Sequence, residues 1–331
     1  MNSKIISEFE KLITFITFDD IQEHNDFRLR QLKNILSILK KYSKEITLDN
    51  YKELSDIKGI GKSSISRIKE ILDVGYLSEL KNFKEDKDKS KIIEELEKVI
   101  GIGSSKALDF YKMGIRSVKD LINKVNKGEI KVNDKLKLGL KYYGKCEGNI
   151  PRNEITNINK IFIDIFKKLN KGVDEDNKYI FEICGSYRRE NKTSGDIDLL
   201  ISKKGVFKSY LEDFIKILKN PLSKNNNKSL IIDDLTDKKY KTKYMGFVKY
   251  LDNPSRRLDV RCIEYDSYFS ALVYFTGSME LNKKMRQQAK IMELKLSEYG
   301  LFKKDGTKLP VNSEKDIFDI LKIDYLEPKF R

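Results

Sequence analysis

Asp196 and Asp198 stand two residues apart in an apolar, β-branched run that continues through Leu199, Leu200 and Ile201. On a strand that spacing sends both side chains to the same face, so the two carboxylates aim at one spot. Like charges held side by side call for a cation, and hard divalent ions such as Mg²⁺ take carboxylate oxygens while leaving positions for water and a substrate phosphate. Upstream, Gly185 and Ser186 close a first apolar strand (Ile180, Phe181, Ile183, Cys184), where backbone N–H groups and a hydroxyl are offered to an anion. Arg188 and Arg189 add positive charge to that turn. Strand, Gly-Ser, basic turn and Asp-x-Asp strand form the order a nucleotidyl-transfer site needs to hold a triphosphate beside two metals. Taken alone, an Asp-x-Asp pair is weak evidence, since most such pairs are solvated turn or strand residues.

A third carboxylate strengthens the metal reading. Residues 256–262 alternate strictly, with Arg257, Asp259 and Arg261 on one face and Leu258, Val260 and Cys262 on the other. If this half-buried strand lies beside the Asp196 strand, Asp259 completes a set able to hold two ions, of the kind that clamp the attacking and leaving oxygens in phosphoryl transfer. The bland alternative is a surface strand with ion pairs along its charged side.

The elements that must position these groups come from a chain of 331 residues, long enough for two or three domains. Its formal charge is +15 and its isoelectric point about 9.3, with Lys and Arg spread along the whole length. That balance points to a polyanionic partner. Mean hydropathy is −0.54 and no apolar run approaches the ~20 residues of a membrane helix. The amphipathic N-terminus resembles neither a signal nor a transit peptide, so the expectation is a soluble intracellular protein, nuclear or cytoplasmic. Cys146, Cys184 and Cys262 read as reduced thiols. One histidine, His24, argues against a histidine triad or a zinc site.

Residues 1 to about 80 are expected to be helical, with Phe9, Leu12, Ile13 and Ile16 on one apolar face and Leu29, Leu32, Ile35, Leu36 and Leu39 on another. A Gly-Ile-Gly turn at Gly59 and Gly61, followed by Lys62, recurs at Gly101 and Gly103, followed by Ser104. Each sits between apolar-periodic segments and leaves bare backbone at a helix N-terminus, where N–H groups can meet a phosphate. The pair resembles the helix-hairpin-helix motif, which grips a DNA backbone without reading bases; two ordinary helix caps are the alternative. The charge run 82–90 reads as a solvated linker or helix face. Pro151 is placed to open a helix carrying Ile155, Ile158, Ile161, Phe162, Ile165 and Phe166. Residues 221–228 read as an Asn/Lys-rich loop, and 244–251 with 258–263 as a hairpin joined by about 252–255.

With these motifs in place, the chain resembles the family X DNA polymerases, and most of all their beta type. The resemblance rests on CGSYRRENKTSGDIDLL at 184–200, NIPRNE at 149–154, RRLDVR at 256–261, YFTGS at 274–278, NKKMR at 282–286 and LPVNSEKDIFDILKIDYLEPK at 309–329, and covers essentially the whole chain. It implies an α+β multidomain fold: an all-α N-terminal region with two helix-hairpin-helix motifs, a nucleotidyltransferase-type mixed-sheet palm and a small α/β C-terminal subdomain. The implied divisions are an 8-kDa-type domain at 1–83, a thumb-like DNA-binding subdomain at 91–148, the palm at 149–264 and a finger-like, nascent-base-pair-binding subdomain at 265–331, with no exonuclease or BRCT module.

Carried over by position, the resemblance implies that Asp196 and Asp198 bind two Mg²⁺ ions, or Mn²⁺ in their place, and that Asp259 binds the catalytic one and helps deprotonate the primer 3′-hydroxyl. Ser186, Arg189 and Gly195 correspond to triphosphate contacts. Tyr274, Phe275 and Gly277 correspond to the sugar pocket and Asn282 to a contact with the base edge. Lys283 and Arg286 would face the template, with Lys243 and Arg257 as further DNA contacts, and Arg261 and Glu298 match a pair that rearranges as the finger-like subdomain closes. Na⁺ or K⁺ would sit at the two glycine turns. The implied partners are gapped or nicked double-stranded DNA, dNTPs and a repair protein such as a ligase, the chain acting as a monomer.

Several positions depart from the family pattern. Arg67 occupies the place of the lyase lysine, and a guanidinium stays protonated and makes a poor Schiff base, so lyase activity is expected to be absent or weak unless Lys62 or Lys69 serves. Asn149 replaces an arginine and Met279 an acidic residue, changes that alter nucleotide affinity unless Arg152 or Lys243 compensates. The short 252–255 link lacks the long insertion of template-independent relatives. Two other classes share parts of the pattern: a template-independent or RNA-directed nucleotidyltransferase, and a DNA-binding scaffold without catalysis.

Overall fold

A computed structural model describes residues 2–18, 25–80, 87–146, 148–236 and 241–331. His24 and most of the 82–90 charge run lie outside them. The chain divides into two compact units, Met1–Lys98 with Ile102–Lys127, and Val99–Gly101 with Gly128–Arg331.

The first unit is helical. Helices α1 (Ser3–Phe18), α2 (Asn25–Lys41) and α3 (Lys62–Val74) bury Phe9, Leu12, Ile16, Leu32, Ile35, Leu39, Ile68 and Ile71 in one core. Both apolar faces expected from the helical spacing are therefore in use, each large side chain contributing roughly 1.5–3 kcal/mol. The element entering the first glycine turn is a 3₁₀ segment, Tyr51–Asp56, rather than an α-helix. The turn has Gly59 at φ +109° and Gly61 extended as the N-cap of α3. The second copy repeats it: α4 (Lys87–Glu97), Gly101 at φ +96°, Gly103 as extended N-cap, then α5 (Ser104–Lys112) and α6 (Val118–Asn126). Since α4 begins at Lys87, a subdomain edge at 91 would cut a helix. The expected 91–148 division is itself split between the two units at Lys127 and Gly128.

The second unit begins with α7 (Asp134–Tyr142), capped by Asn133, whose Oδ1 accepts the Leu136 N–H at 2.9 Å. After β1 (Ile150–Pro151), helix α8 (Arg152–Leu169) opens directly behind Pro151. The chain then forms β2 (Tyr179–Ile183), the helical turn α9 (Gly185–Arg188), β3 (Thr193–Ser194), β4 (Ile197–Lys203), α10 (Leu211–Lys219), β5 (Ile231–Asp234), β6 (Lys243–Val248) and β7 (Arg256–Glu264). Among the described residues the main sheet runs β2-β4-β7-β6-β5, with β4 and β7 parallel and the other neighbours antiparallel. The expected β6–β7 hairpin is present.

Alternation along these strands separates core from chemistry. Ile197, Leu199 and Ile201 of β4 and Leu258, Val260 and Cys262 of β7 pack with Phe162 and Phe166 of α8 and Phe214 and Leu218 of α10. Asp198 and Asp259 alternate out of that core. Arg256 of β7 and Glu154 of α8 form a buried bidentate pair at 3.1 and 2.9 Å that ties helix to sheet. The 221–228 segment is a turn built around buried Asn225, whose side chain donates to the carbonyls of Lys228, Ser229 and Lys249 and accepts the Leu251 N–H.

The C-terminal part comprises α11 (Tyr268–Thr276), α12 (Met279–Ile291), the β8 (Lys295–Ser297) and β9 (Gly300–Phe302) ribbon, and α13 (Glu314–Ile320). Leu281, Met285, Ala289, Leu301, Ile317 and Phe318 fill its core. A Ser313/Asp316 capping box starts α13. Among the described residues no helix is long and apolar enough to cross a membrane.

Candidate active site

Parallel pairing of β4 with β7 sets Asp198 directly opposite Asp259. Asp196 does not lie on the strand: β4 starts at Ile197, and Asp196 occupies the bend after β3. It is therefore the turn, and not the two-residue strand period, that brings this third carboxylate in. Asp196, Asp198 and Asp259 each offer an oxygen within 4.8 Å of the others.

Burial and the neighbouring Asp196 and Asp259 carboxylates push Asp198 up to about 7, against the opposing pull of Arg257 and Arg189. Burial also raises Asp259, with the Arg257 guanidinium pulling the other way and Asp196 adding to the rise. Arg257 is bonded to Asp196 Oδ2, and its Nε lies 3.4 Å from Asp259 Oδ1. That second approach has no hydrogen-bond geometry, and both Arg257 Nε and Asp259 Oδ1 are buried without a partner. Three converging hard oxygens, one of them orphaned, fit divalent cations. A strongly basic Arg257 at the same place partly balances their charge.

Gly185 is required where it stands. Its φ is +58°, and a Cβ there would lie 2.6 Å from Asp198 Oδ2. The Gly-Ser turn thus runs hard against the carboxylate cluster, helped by the Cys184 N–H donating to the Asp198 carbonyl at 2.7 Å. Ser186 follows in the same turn, and Gly195 is open, with nothing within 4 Å of the place a Cβ would take. Between them Ser194 was not anticipated: β3 pairs with β1 at Ile150↔Ser194, and the Ser194 hydroxyl is buried without a partner. Its Ser-Gly-Asp context was the available signal.

Arg188 does not serve the turn as an exposed charge. Its guanidinium makes a bidentate pair with Glu314 at 2.9 and 2.7 Å and donates to Thr276 Oγ1 at 2.7 Å. Arg189 donates to the Thr276 carbonyl at 2.6 Å. Beyond Thr276, Gly277 has φ +68° and is joined to Ser278 by a cis peptide bond. A Cβ on Gly277 would lie 3.5 Å from Arg189 Nη1 and 4.0 Å from Asn282 Nδ2, which itself donates to the Tyr274 carbonyl at 2.8 Å. Arg189, Tyr274, Gly277 and Asn282 are thereby gathered, with Phe275 edge-on to Tyr274 at 5.0 Å.

The remaining expected residues are more scattered. Arg286 is exposed with its guanidinium 4.9 Å from the Tyr274 ring, and Lys283 and Lys243 are exposed. Arg261 and Glu298 line one cavity of about 330 Å³, but no ion pair joins them; Arg261 sits 5.8 Å from the Phe275 ring. Arg152 is spent on Tyr187, donating to its carbonyl at 2.6 Å and stacking 4.3 Å from its ring, so it does not replace the arginine missing at exposed Asn149. In the first unit Lys62 and Ser104 are exposed at the first positions of α3 and α5. Arg67 donates to Glu79 at 2.5 Å, and Arg28 pairs with the same carboxylate at 2.9 Å.

Four protein-family models match the chain: a helix-hairpin-helix domain over residues 1–77, the fingers domain of DNA polymerase lambda over 94–147, the DNA polymerase beta palm over 149–265 and the DNA polymerase beta thumb over 271–331. The chain belongs to the family X DNA polymerases. Fingers and thumb in these descriptions are the reverse of the labels used above for 91–148 and 265–331. The chain is 28% identical over 318 residues to DNA polymerase lambda of Rattus norvegicus, covering 89% of this chain and 51% of that one. It is 29% identical over 348 residues to DNA polymerase lambda of Arabidopsis thaliana, covering 100% and 62%. It is 26% identical over 347 residues to the DNA nucleotidylexotransferase of Xenopus laevis, covering 94% and 66%. The chain thus spans about half to three fifths of the lambda relatives. Similarity to lambda polymerases corrects the expectation of a beta-type likeness, which rested on motifs that both types share.

Proposed function

We propose that this chain fills short gaps in duplex DNA, adding a templated deoxynucleotide to a primer 3′-hydroxyl and releasing pyrophosphate. The observation that carries the reading is the convergence of Asp196, Asp198 and Asp259 against the Gly185–Ser186 turn. Asp196, Asp198 and Asp259 would hold divalent ions, Mg²⁺ or Mn²⁺, which when bound would supply positive charge to the attacking and leaving oxygens. Asp259, with an orphaned Oδ1 and a raised pKa, takes up the proton of the 3′-hydroxyl. Ser186, Ser194, Arg189 and Gly195 bind the triphosphate. Tyr274, Phe275 and Gly277 shape the sugar pocket, and Asn282 meets the base edge. Lys243, Lys283 and Arg286 engage DNA, and the two glycine turns hold its backbone, with a monovalent cation at each.

Templated addition is favoured over the template-independent reading that the Xenopus laevis relative suggests, because the β6–β7 connection is a tight turn closed by Asn253 N–H to the Tyr250 carbonyl at 3.1 Å. Substrates are then gapped or nicked DNA and dNTPs, inside the cell, with the chain as a monomer and a nick-sealing ligase as a fitting partner. Single-nucleotide insertion into a 5′-phosphorylated gap with Mg²⁺ tests the reading. Asp259→Ala is expected to lose at least about 10³-fold in kcat, roughly 4 kcal/mol of barrier. Equal activity in both proteins, or tailing of RNA without extension of gapped DNA, would overturn it.

A further inference from the structure

Two consecutive arginines of the phosphate turn reach the same residue of the sugar-pocket segment. Arg188 donates to the Thr276 hydroxyl and Arg189 to the Thr276 carbonyl, at 2.7 and 2.6 Å. Thr276 is fully buried and is the last residue of α11, immediately before Gly277. The two arginines differ in what else holds them. Arg188 is locked by Glu314, whose Oε1 also accepts from Arg331 Nη1 at 2.7 Å. Among the described residues the Arg189 side chain donates to the Thr276 carbonyl alone, so its guanidinium is the one that can turn toward a phosphate.

We infer that Arg188 is a positioning residue for sugar selection: through the Thr276 hydroxyl it holds the 274–277 backbone in place when Arg189 leaves Thr276 for the triphosphate. The inference rests on the polymerase reading above. A charge-assisted hydrogen bond to a buried hydroxyl is the strong, geometrically strict kind. Its partner Glu314 accepts from both Nη1, the nitrogen that also donates to Thr276, and Nη2, so the guanidinium that holds the Thr276 hydroxyl is itself fixed at two points. On the proposed reading, in which residues 274–277 shape the sugar pocket, the height of the Thr276 backbone would set how close the segment comes to the sugar's 2′ position. Without the Arg188 bond, an Arg189 that turned to the triphosphate would leave the Thr276 end of the segment with no side-chain hydrogen bond among the described residues, Asn282 holding only the Tyr274 end.

The test is Thr276→Val, which keeps the branched shape and removes the hydroxyl, beside Thr276→Ser, which keeps the hydroxyl, and Arg188→Lys. Steady-state kcat/KM for a dNTP and the matching rNTP is measured on gapped DNA, together with thermal unfolding. The expected result is a fall of about tenfold in the dNTP/rNTP ratio for Thr276→Val and Arg188→Lys, the size of one lost hydrogen bond to a charged group, with Thr276→Ser near wild type. A merely structural role would lower Tm and both kcat/KM values in parallel, and an unchanged ratio in Thr276→Val overturns the inference. Should wild type add neither nucleotide, the polymerase reading fails separately. Calorimetric binding of dNTP and rNTP to the DNA complex with Mg²⁺ then still reads the ratio, and an equal ratio in wild type and Thr276→Val rejects the positioning role.

Discussion

Each carboxylate of the candidate site is exposed to a different set of constraints, and Gly185 bears the tightest of them. Its left-handed backbone and the 2.6 Å approach of a Cβ to Asp198 Oδ2 leave no room for alanine. Gly185→Ala is expected to cost roughly 1–2 kcal/mol in backbone strain and, by displacing Asp198, to raise the Mg²⁺ concentration needed for half-maximal insertion several-fold. A metal titration of the variant checks this; an unchanged midpoint would mean that the turn yields instead. Arg67 leads to a second prediction. Held by Glu79 and permanently charged, it makes no Schiff base. Borohydride reduction on an incised abasic substrate should trap no covalent adduct, and an adduct abolished by Lys62→Ala or Lys69→Ala would show that another amine does the work. Asp198 and Asp259 were legible because alternation turns each out of the core of its strand, whereas Asp196 joins them through the bend after β3, which the two-residue spacing did not describe. The role of Gly185 was not legible, since a clash with Asp198 exists only once β2 and β4 are paired.

Between elements, the ion pairs that matter join residues far apart in the chain. Glu314 on α13 meets Arg188 on α9 and the Arg331 side chain, which also stacks near Phe318 and Tyr325 at 5.2 and 5.6 Å. Burial pushes Glu314 up, but hydrogen bonds from Arg188 and Arg331 outweigh it and hold the group below its ordinary value. A folded-state pKa lowered in this way contributes stability above the unfolded value near 4.5, and that contribution disappears as pH falls through the folded value. The Tm gap between wild type and Glu314→Gln should therefore be full at pH 7 and close as pH drops below about 4. A gap independent of pH would assign the loss to packing alone. Neither partner announced itself: two arginines after Gly-Ser look like anion ligands, and only the return of α13 shows one of them neutralised. Asn225 was hidden in the same way, its loop-like composition concealing a buried side chain that makes four hydrogen bonds to backbone. Helix faces, the Pro151 helix start and the β6–β7 hairpin were legible because their periodicity is local.

At the scale of the molecule, the +15 charge would, on the proposed function, set how the chain meets DNA. Phosphate contacts release counterions, so affinity for gapped duplex should fall steeply with salt; for roughly six contacts the loss between 50 and 200 mM is about 10³-fold. Fluorescence anisotropy at several salt concentrations measures the slope, and Lys62→Ala should flatten it by about one contact if the first glycine turn grips the backbone. A slope unchanged in that variant removes the turn from the interface. The order of helical region, palm and C-terminal part was readable from motifs, whereas the break within 91–148 was not, because helices on either side of it carry the same amphipathic pattern. The parallel pairing of β4 with β7 has one more consequence. A parallel neighbour cannot be reached through a hairpin, so α10, β5 and β6 must all be made before Asp259 can stand beside Asp198. A ribosome that stops early, or a protease that cuts ahead of β7, releases a chain holding Asp196 and Asp198 but lacking their partner. On the proposed function, such a fragment would hold two of the three carboxylates and lack the one that takes up the 3′-hydroxyl proton, so synthesis would begin only with the completed sheet.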